Sequence, residues 1–244
     1  MKAVERPTFE TTAAREVYQY VERHGTAKRE RIQAATGLDS ETVTETLEHL
    51  LSKGYLSDDG GVLSLALDVG SVKSHTTGTD SYTIRPARPD DFDGLVKLIR
   101  EVSADSTYVV AESVAEQLLY EDAVMRHTTV QSRVVFVATV DDKVIGWCHL
   151  DISQLEKLRE TARLTVGVDA DYRSERIGSQ LIERGTDWAR ANGYRKLYNS
   201  VPAVSESALS FLEDHGWQTE GIRRNHYTVD GETVDEMIMS YTFE

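Results

Sequence analysis

The chain holds 244 residues, 27 basic and 41 acidic, with a net charge of −14 and 40% hydrophobic residues. That length suits one large domain or two modest ones, and the apolar share is enough for a packed core. The charge repels phosphate backbones and no run nears the ~20 apolar residues that span a bilayer, which argues against a nucleic-acid coat protein and an integral membrane protein.

The single cysteine, Cys148, excludes an internal disulfide. Its setting in VIGWCHL predicts a packed core thiol rather than a nucleophile. The start, MKAVERPTFETTAAREV, has no apolar signal segment, so a cytoplasmic protein is expected. Of the basic residues 19 are Arg and 8 are Lys. A uniformly acidic, Lys-poor surface is what a cytoplasm rich in KCl favours, so a halophilic source is expected.

Residues 12–67 read as a helical module. Thr12 to His24 carries Val17, Tyr20 and Val21 at helical spacing, with Gly25 as its stop. Lys28 to Ala35 predicts a second short helix. Asp39 or Ser40 caps a third, reaching Lys53, with Val43, Leu47, Leu50 and Leu51 on one side. Two short β segments then flank the turn Asp59-Gly60-Gly61. The run HGTAKRERIQAATGLDSETVTETLEHLLSKGYL resembles a winged helix-turn-helix. Its third helix exposes Glu41, Glu45, Glu48 and His49, and residues 1–70 hold eight basic against twelve acidic residues, a net of −4. Phosphate contacts come mainly from Lys and Arg, so dimerisation or substrate presentation is favoured over DNA binding. The boundaries are 1–69 for this module, 70–80 for a linker, GSVKSHTTGTD, and 81–244 for a second domain. His75 in the linker is expected to be solvated.

The second domain opens with a strand, Ser81 to Pro86. A helix from Asp90 or Asp91 faces Leu95, Leu98, Ile99 and Val102 inward, and a second covers Ser113 to Met125. Arg133–Val140 and Val144–Ile152 form a hairpin around Asp141-Asp142-Lys143. Leu164–Val168 is a buried strand that runs through a short polar turn into an amphipathic helix. A strand at Arg195–Val201, a helix at Ser205–His215 and a hairpin, Ile222–Val229 with Val234–Thr242 around Asp230-Gly231, complete the chain. The reading is α+β, in the order β-α-α-β-β-β-α-β-α-β-β.

The turn after Val168 is the most informative stretch. Arg173, Ser174, Glu175, Arg176, Ile177, Gly178 and Ser179 open a helix, where free N–H groups and the helix dipole favour an anion such as a pyrophosphate. Gly178 allows close approach, and Arg173 and Arg176 add charge. The segment VGVDADYRSERIGSQLIE resembles the acetyl-CoA-binding motif of the GNAT family of N-acetyltransferases, Q/R-x-x-G-x-G/A. Arg173 stands at its first position, Gly178 at its second glycine and Ser179 next; Arg176 replaces the first glycine. SESALSFLEDHGW resembles the family's N-x-x-A-x-x-L-Y-x-x-x-G-F segment through Ser205, Ala208, Phe211, Gly216 and Trp217. The ending GIRRNHYTVDGETVDEMIM is similar to that of ribosomal-protein and small-amine acetyltransferases.

The resemblance implies a GNAT fold over 81–244, a mostly antiparallel mixed sheet flanked by helices, with acetyl-CoA as co-substrate. It implies that backbone groups of Val166, Gly167 and Val168 pair with the pantetheine arm, that residues 173–179 hold the diphosphate, and that Ser205 caps its helix and contacts the cofactor. A V-shaped slot between this strand and Arg195–Val201 is required. Relatives place a glutamate on the central strand or the next, where Ala162 and Ser200 stand here, and a thiolate-protonating tyrosine where Leu212 stands. Glu160 and Tyr198 are the expected replacements, with Tyr227 and His226 beside the mouth. The histidines show no metal-ligand spacing, so no metal is expected. An amine of a protein or small molecule is the expected acceptor, and a homodimer is possible. The other reading is a DNA-binding regulator that senses acetyl-CoA without turnover.

Overall fold

The structure, a computed structural model, describes residues 7–66, 69–70, 72–77, 80–104, 108–128, 130–229 and 231–244. The Thr11 hydroxyl accepts from Ala14 N at 3.0 Å to start α1 (Thr12–His24), whose stripe of Ala14, Val17, Tyr18 and Val21 is buried. Gly25 ends it at φ 70°. A short strand, β1 (Thr26–Lys28), leads into α2 (Arg29–Thr36) and α3 (Ser40–Ser52), the latter capped by Asp39 accepting from Thr42 N at 2.9 Å. The hairpin of β2 (Leu56–Asp59) and β3 (Val62–Leu65) follows, and β1 adds to it in the order β1-β3-β2. This third strand was not expected from the sequence; three residues are too few to show a period. Val17, Tyr18, Ile32, Val43 and Leu50 form the core of the unit. Its α1 ends against the rest of the molecule: a Cβ on Gly25 would press on Pro89 Cγ, and Glu22 accepts from His127 N at 2.8 Å.

The remaining elements are β4 (Lys73–Thr77), β5 (Asp80–Pro86), α4 (Phe92–Ala104), α5 (Val109–Glu121), β6 (Arg126–His127), β7 (Gln131–Val140), β8 (Lys143–Ser153), β9 (Thr161–Val168), α6 (Ile177–Ala191), β10 (Lys196–Pro202), α7 (Glu206–Asp214), β11 (Gln218–Val229) and β12 (Glu232–Thr242). One sheet runs β11-β12-β10-β9-β8-β7-β5-β4, with β6 on β7. Every pair is antiparallel except β9 with β10. Leu181, Ile182 and Trp188 of α6 and Leu212 of α7 cover one face, with Leu150, Leu164 and Leu197 beneath. α4 and α5 cover the other, over Val135, Val137 and Trp147. Gly185 lets α6 come down on the sheet, since a Cβ there would lie 2.5 Å from Cys148 Sγ. Cys148 is fully buried and burial pushes its thiol up, so it stays a protonated packing group.

Three expectations are corrected. Part of the stretch read as linker is an edge strand: Lys73 to Thr77 pairs antiparallel with Ile84 to Asp80. Ser and Thr suit the outermost position of a sheet, where only one edge is paired and little is buried. Residues 71, 78 and 79 of that stretch, like 1–6 and Asp230, lie outside the described residues. His75 is not simply solvated but stacks on Tyr82, centroids 5.2 Å apart. The helix expected at Ser113–Met125 starts at Val109 and stops at Glu121, because Val110 and Ala111 are buried and Asp122 turns left-handed at φ 49°.

The corner between β5 and α4 is locked by a buried ion pair. Arg85 grips Asp91 with Nη1 at 2.6 Å and Nη2 at 2.8 Å, and Arg88 N donates to the same carboxylate at 2.7 Å. Each bond satisfies a charge that burial would otherwise penalise.

Candidate active site

The parallel pairing of β9 with β10 covers only Thr161–Arg163 against Lys196–Tyr198. Beyond that point β9 keeps β8 as far as Val168, and β10 keeps β12 as far as Pro202. The two strands therefore part, each held by its outer neighbour, and leave the inner edge of β9 open. A cleft of about 650 Å³ lies in this opening. Val166, Gly167 and Val168 line it with Arg173, Asn199, Ser205, Phe211 and Leu212, and Val102 and Tyr108 reach it from the α4–α5 side. A larger cavity of about 810 Å³ lies at the seam between α1 and the β5–α4 corner and shares no residue with the cleft.

Gly167 faces Trp147, where a side chain would overlap the indole ring. Trp147 is fully buried, so the glycine is needed for strand and tryptophan to pass. Asp169 N bonds Ile145 O at 2.9 Å, which points the odd-numbered amides towards β8 and Val166 and Val168 towards the gap.

After β9 the chain makes one 3-10 turn at Ala170–Tyr172 and then bends through Ser174 at φ 68° and Arg176 at φ 62°. Arg176 thus stands in the left-handed conformation that glycine adopts freely, at the position where the resembling motif carries glycine. It is the N-cap of α6, and no side chain caps the helix. Gln180 N bonds Arg176 O at 3.0 Å, while no acceptor among the described residues takes the N–H groups of Ile177, Gly178 or Ser179. Glu175, Arg173 and Ser174 are exposed around them. Gly178 is less open than expected: a Cβ would touch Phe211 at 3.4 Å and Val168 at 3.6 Å, so its free side faces the cleft wall.

Ser205 lines the cleft, but its side chain makes no capping bond to α7; its carbonyl accepts from Ala208 N and Leu209 N instead. Glu160 is not brought to the cleft. It lies in the turn before β9, exposed, with Arg195 Nε at 3.6 Å, at the end of the strand opposite Val168. That role would need the strand to reach back to Glu160, and the chain enters β9 only at Thr161. Tyr198 sits at the vertex where β9 and β10 part, paired with Arg163 and carrying Lys196 Nζ 5.0 Å from its ring centroid.

Three residues of the site were not anticipated. Tyr108 and Asn199 lie in the cleft and Glu236 beside it, on the face of β10 opposite Asn199. Glu236 pairs with Pro202, is 2% exposed, accepts from Tyr227 Oη at 2.9 Å, and has Arg223 at 2.9 Å and His226 at 3.5 Å. Burial, with the bond to Glu236 second, pushes the Tyr227 phenol up to about 12, and Ser200 bonds the same hydroxyl. The one available signal was an acid alternating in phase with Val234 and Ile238 on a strand. Among the described residues no group of three or more His, Cys, Asp or Glu side chains gathers to hold a metal, and no helix is long and apolar enough to cross a membrane.

Comparison with known proteins agrees with this geometry. The profile of the acetyltransferase (GNAT) domain matches residues 84–238. A [ribosomal protein bS18]-alanine N-acetyltransferase of Escherichia coli is 33% identical over 83 residues, 34% of this chain and 56% of that protein. The chain therefore spans little more than half the length of this curated relative. An acetyltransferase of the GNAT family from Streptococcus pneumoniae has a similar structure, with a TM-score of 0.58 and 22% identity over 66% of this chain and 99% of that one. A structure of yncA from Salmonella typhimurium with its cofactor acetyl-CoA has a TM-score of 0.53 and 17% identity over 67% and 94%. The profile covers well over half of the residues, and the sheet parts where the fold needs it to: the chain belongs to the GNAT acetyltransferase domain family.

Proposed function

We propose that this chain is an acetyl-CoA-dependent N-acetyltransferase acting on a primary amine. The observation that carries the reading is the parting of β9 from β10 beside an uncapped helix start. The N–H groups opening α6, with Arg173 and Arg176, would hold the diphosphate, and the gap-facing backbone of Val166 and Val168 would pair with the pantetheine amides. Gly167, Gly178 and Ser205 border this path. Acetyl-CoA supplies the activated acyl group, and the chain holds it, excludes water and manages protons.

The acceptor would approach on the α4–α5 face, where Ser200, Tyr227, His226 and Glu236 gather. Glu236 is the buried carboxylate nearest the position of Ser200, where relatives carry glutamate, and we assign it proton acceptance in place of Glu160. An α-amine has a reference pKa near ~8 against ~10.4 for lysine, so it yields its proton more readily. With the relative named as an N-acetyltransferase of an alanine of ribosomal protein bS18, this favours a protein N-terminus as the acceptor.

Residues 1–69 form a winged-helix-like domain in this reading, with β4 joining the sheet of 81–244. Glu41, Glu45 and Glu48 are exposed on α3, which favours protein contacts, including a homodimer, over DNA. Leu212, buried in the cleft where a phenol is expected, supports a second reading, a DNA-binding sensor of acetyl-CoA. Calorimetry with CoA tests the first premise: Gly178→Glu should weaken binding about tenfold or more by setting a carboxylate among the phosphate-facing amides. Thiol release in the presence of a peptide with N-terminal alanine then separates enzyme from sensor, since a sensor releases none.

A further inference from the structure

The hairpin that carries Glu236 is not a regular ladder. Arg223 of β11 stands opposite Glu236 of β12 and Tyr227 opposite Val234, so Arg224, Asn225 and His226 together face Asp235 alone. Two residues of β11 are therefore extra. In an unbroken ladder from Arg223, Tyr227 would stand opposite Glu232, four residues and roughly 14 Å along β12 from Glu236. The bulge draws it back to Val234, roughly 7 Å away, a diagonal that a tyrosine spans. Its hydroxyl then donates to Glu236 Oε1 at 2.9 Å. The same detour sets His226 Nε2 3.5 Å from Glu236 Oε2, and Arg223 Nη1 donates to that ring nitrogen at 3.3 Å.

One carboxylate fastens the bulge. Asp235 Oδ1 accepts from Asn225 N at 2.9 Å, where Asn225 stands left-handed at φ 51°, and Arg224 Nη1 donates to Oδ2 at 2.5 Å. The Asn225 amide first, then the Arg224 guanidinium, holds the Asp235 carboxyl below the usual carboxylate range. Asp235 is gripped from the other side as well, its carbonyl accepting from Ala203 N at 2.8 Å just past the Pro202–Glu236 pair. At Glu236 the result is asymmetric. Oε1 is taken by Tyr227, whereas the buried Oε2 has no hydrogen bond among the described residues and stands beside Arg223 Nη1, 2.9 Å away, and His226.

We propose that Asp235 is a positioning residue for the transfer: by fastening the β11 bulge it fixes Tyr227 on Glu236 Oε1 and leaves Oε2 as the oxygen that takes the proton of the acceptor amine. The proposal rests on the reading of Glu236 as proton acceptor and adds to it the device that decides which oxygen serves. In the step, the amine nitrogen loses one proton and Oε2 gains it. A bulge beside a site re-aims side chains that a flat strand could not deliver. Asp235 touches neither substrate nor cofactor in this scheme and acts only through the bulge.

The test is steady-state thiol release from acetyl-CoA with an N-terminal-alanine peptide, beside calorimetry with CoA, on the full chain. Asp235→Ala should lower kcat about tenfold, as Tyr227→Phe should, with the Kd for CoA within about twofold of native. Asp235→Asn should restore kcat to within about threefold of native, because its amide oxygen still accepts from Asn225 N although the charge is gone. The double variant Asp235→Ala with Tyr227→Phe should lose no more than about twofold beyond either single change, since both remove the same contact. Asp235→Val, strand-forming and without an acceptor, takes the place of the alanine variant if that one does not fold. A native kcat in Asp235→Ala, an asparagine variant as slow as the alanine one, or fully multiplied losses in the double variant overturns the proposal. Failure of the underlying reading looks different: Glu236→Gln then keeps a native kcat.

Discussion

Replacing Arg176 with glycine tests whether the α6 junction is strained by its departure from the family's glycine. The residue sits at φ 62° and ψ 8°, with its side chain exposed and no capping bond. A side chain in the left-handed region costs ~1–2 kcal/mol. Glycine's greater freedom in the unfolded chain offsets ~0.5–1 kcal/mol of the relief. The expected net gain is therefore about 0.5–1 kcal/mol, or roughly 1–4 °C in Tm for a chain of this size. Arg176→Ala is the informative control, because it removes the same charge and keeps the Cβ. Thermal unfolding of both variants, followed by calorimetry with CoA, separates the two contributions. Both should lose a few-fold in CoA affinity through the missing charge, and only the glycine variant should melt higher. An alanine variant that melts as high as the glycine variant, or a glycine variant that melts lower than the native chain, would refute the strain argument.

Gly167→Ala would drive a methyl group into the Trp147 ring, which is fully buried among Val135 and Val137 and has nowhere to go. Denaturant titration should register a loss of about 1–3 kcal/mol, with CoA affinity falling as the flanking amides shift. His149, fully buried with Thr165 Oγ1 3.3 Å away, is held down to about 3 by burial first and then by Arg133 and Arg163. Its folded pKa lies below the unfolded ~6.5, so the unfolded chain binds the extra proton between these values and stability falls as pH drops below ~6.5. His149→Gln should flatten this acid slope by up to ~1.4 kcal/mol per pH unit, measured by urea unfolding at pH 6.5 and 5; identical slopes would show that the imidazole is not the group responsible. Glu236→Gln should leave the Kd for CoA within about twofold and lower kcat by about a hundredfold, within the range for general acid–base groups; an unchanged kcat would move proton acceptance elsewhere.

Much of the fold was legible because its periods are long enough to read. Val17 to Val21, Val43 to Leu51 and Leu95 to Val102 repeat at helical spacing, and residues 134–138 form an unbroken apolar run, rich in β-branched residues, that reads as a buried strand. The polar turn from Arg173 to Ser179 was legible as a helix start, and the structure leaves that start without a side-chain cap. Short elements escaped: β1 has three residues, and β4 is made of Lys, Ser, His and Thr, whose place in a sheet is set by the partner strand rather than by its own pattern. Glu160 was misjudged for a related reason, since one pleat more or less at a strand end decides which face and which end of the sheet a side chain serves.

The sequence by itself therefore determined the family, the order of the longer strands and helices, and the place of the polar turn that opens α6, all of which depend on residues close together in the chain. Which side chains meet in the cleft was decided only by the tertiary structure. Tyr108, Val166 and Asn199 lie on three separate elements, and they converge because β9 and β10 lose their mutual hydrogen bonds after Arg163 and Tyr198. Glu236 comes to the side of Ser200 only because β12 lies antiparallel against β10. Contacts of this kind arise from the closing of long loops, whose register no local spacing records.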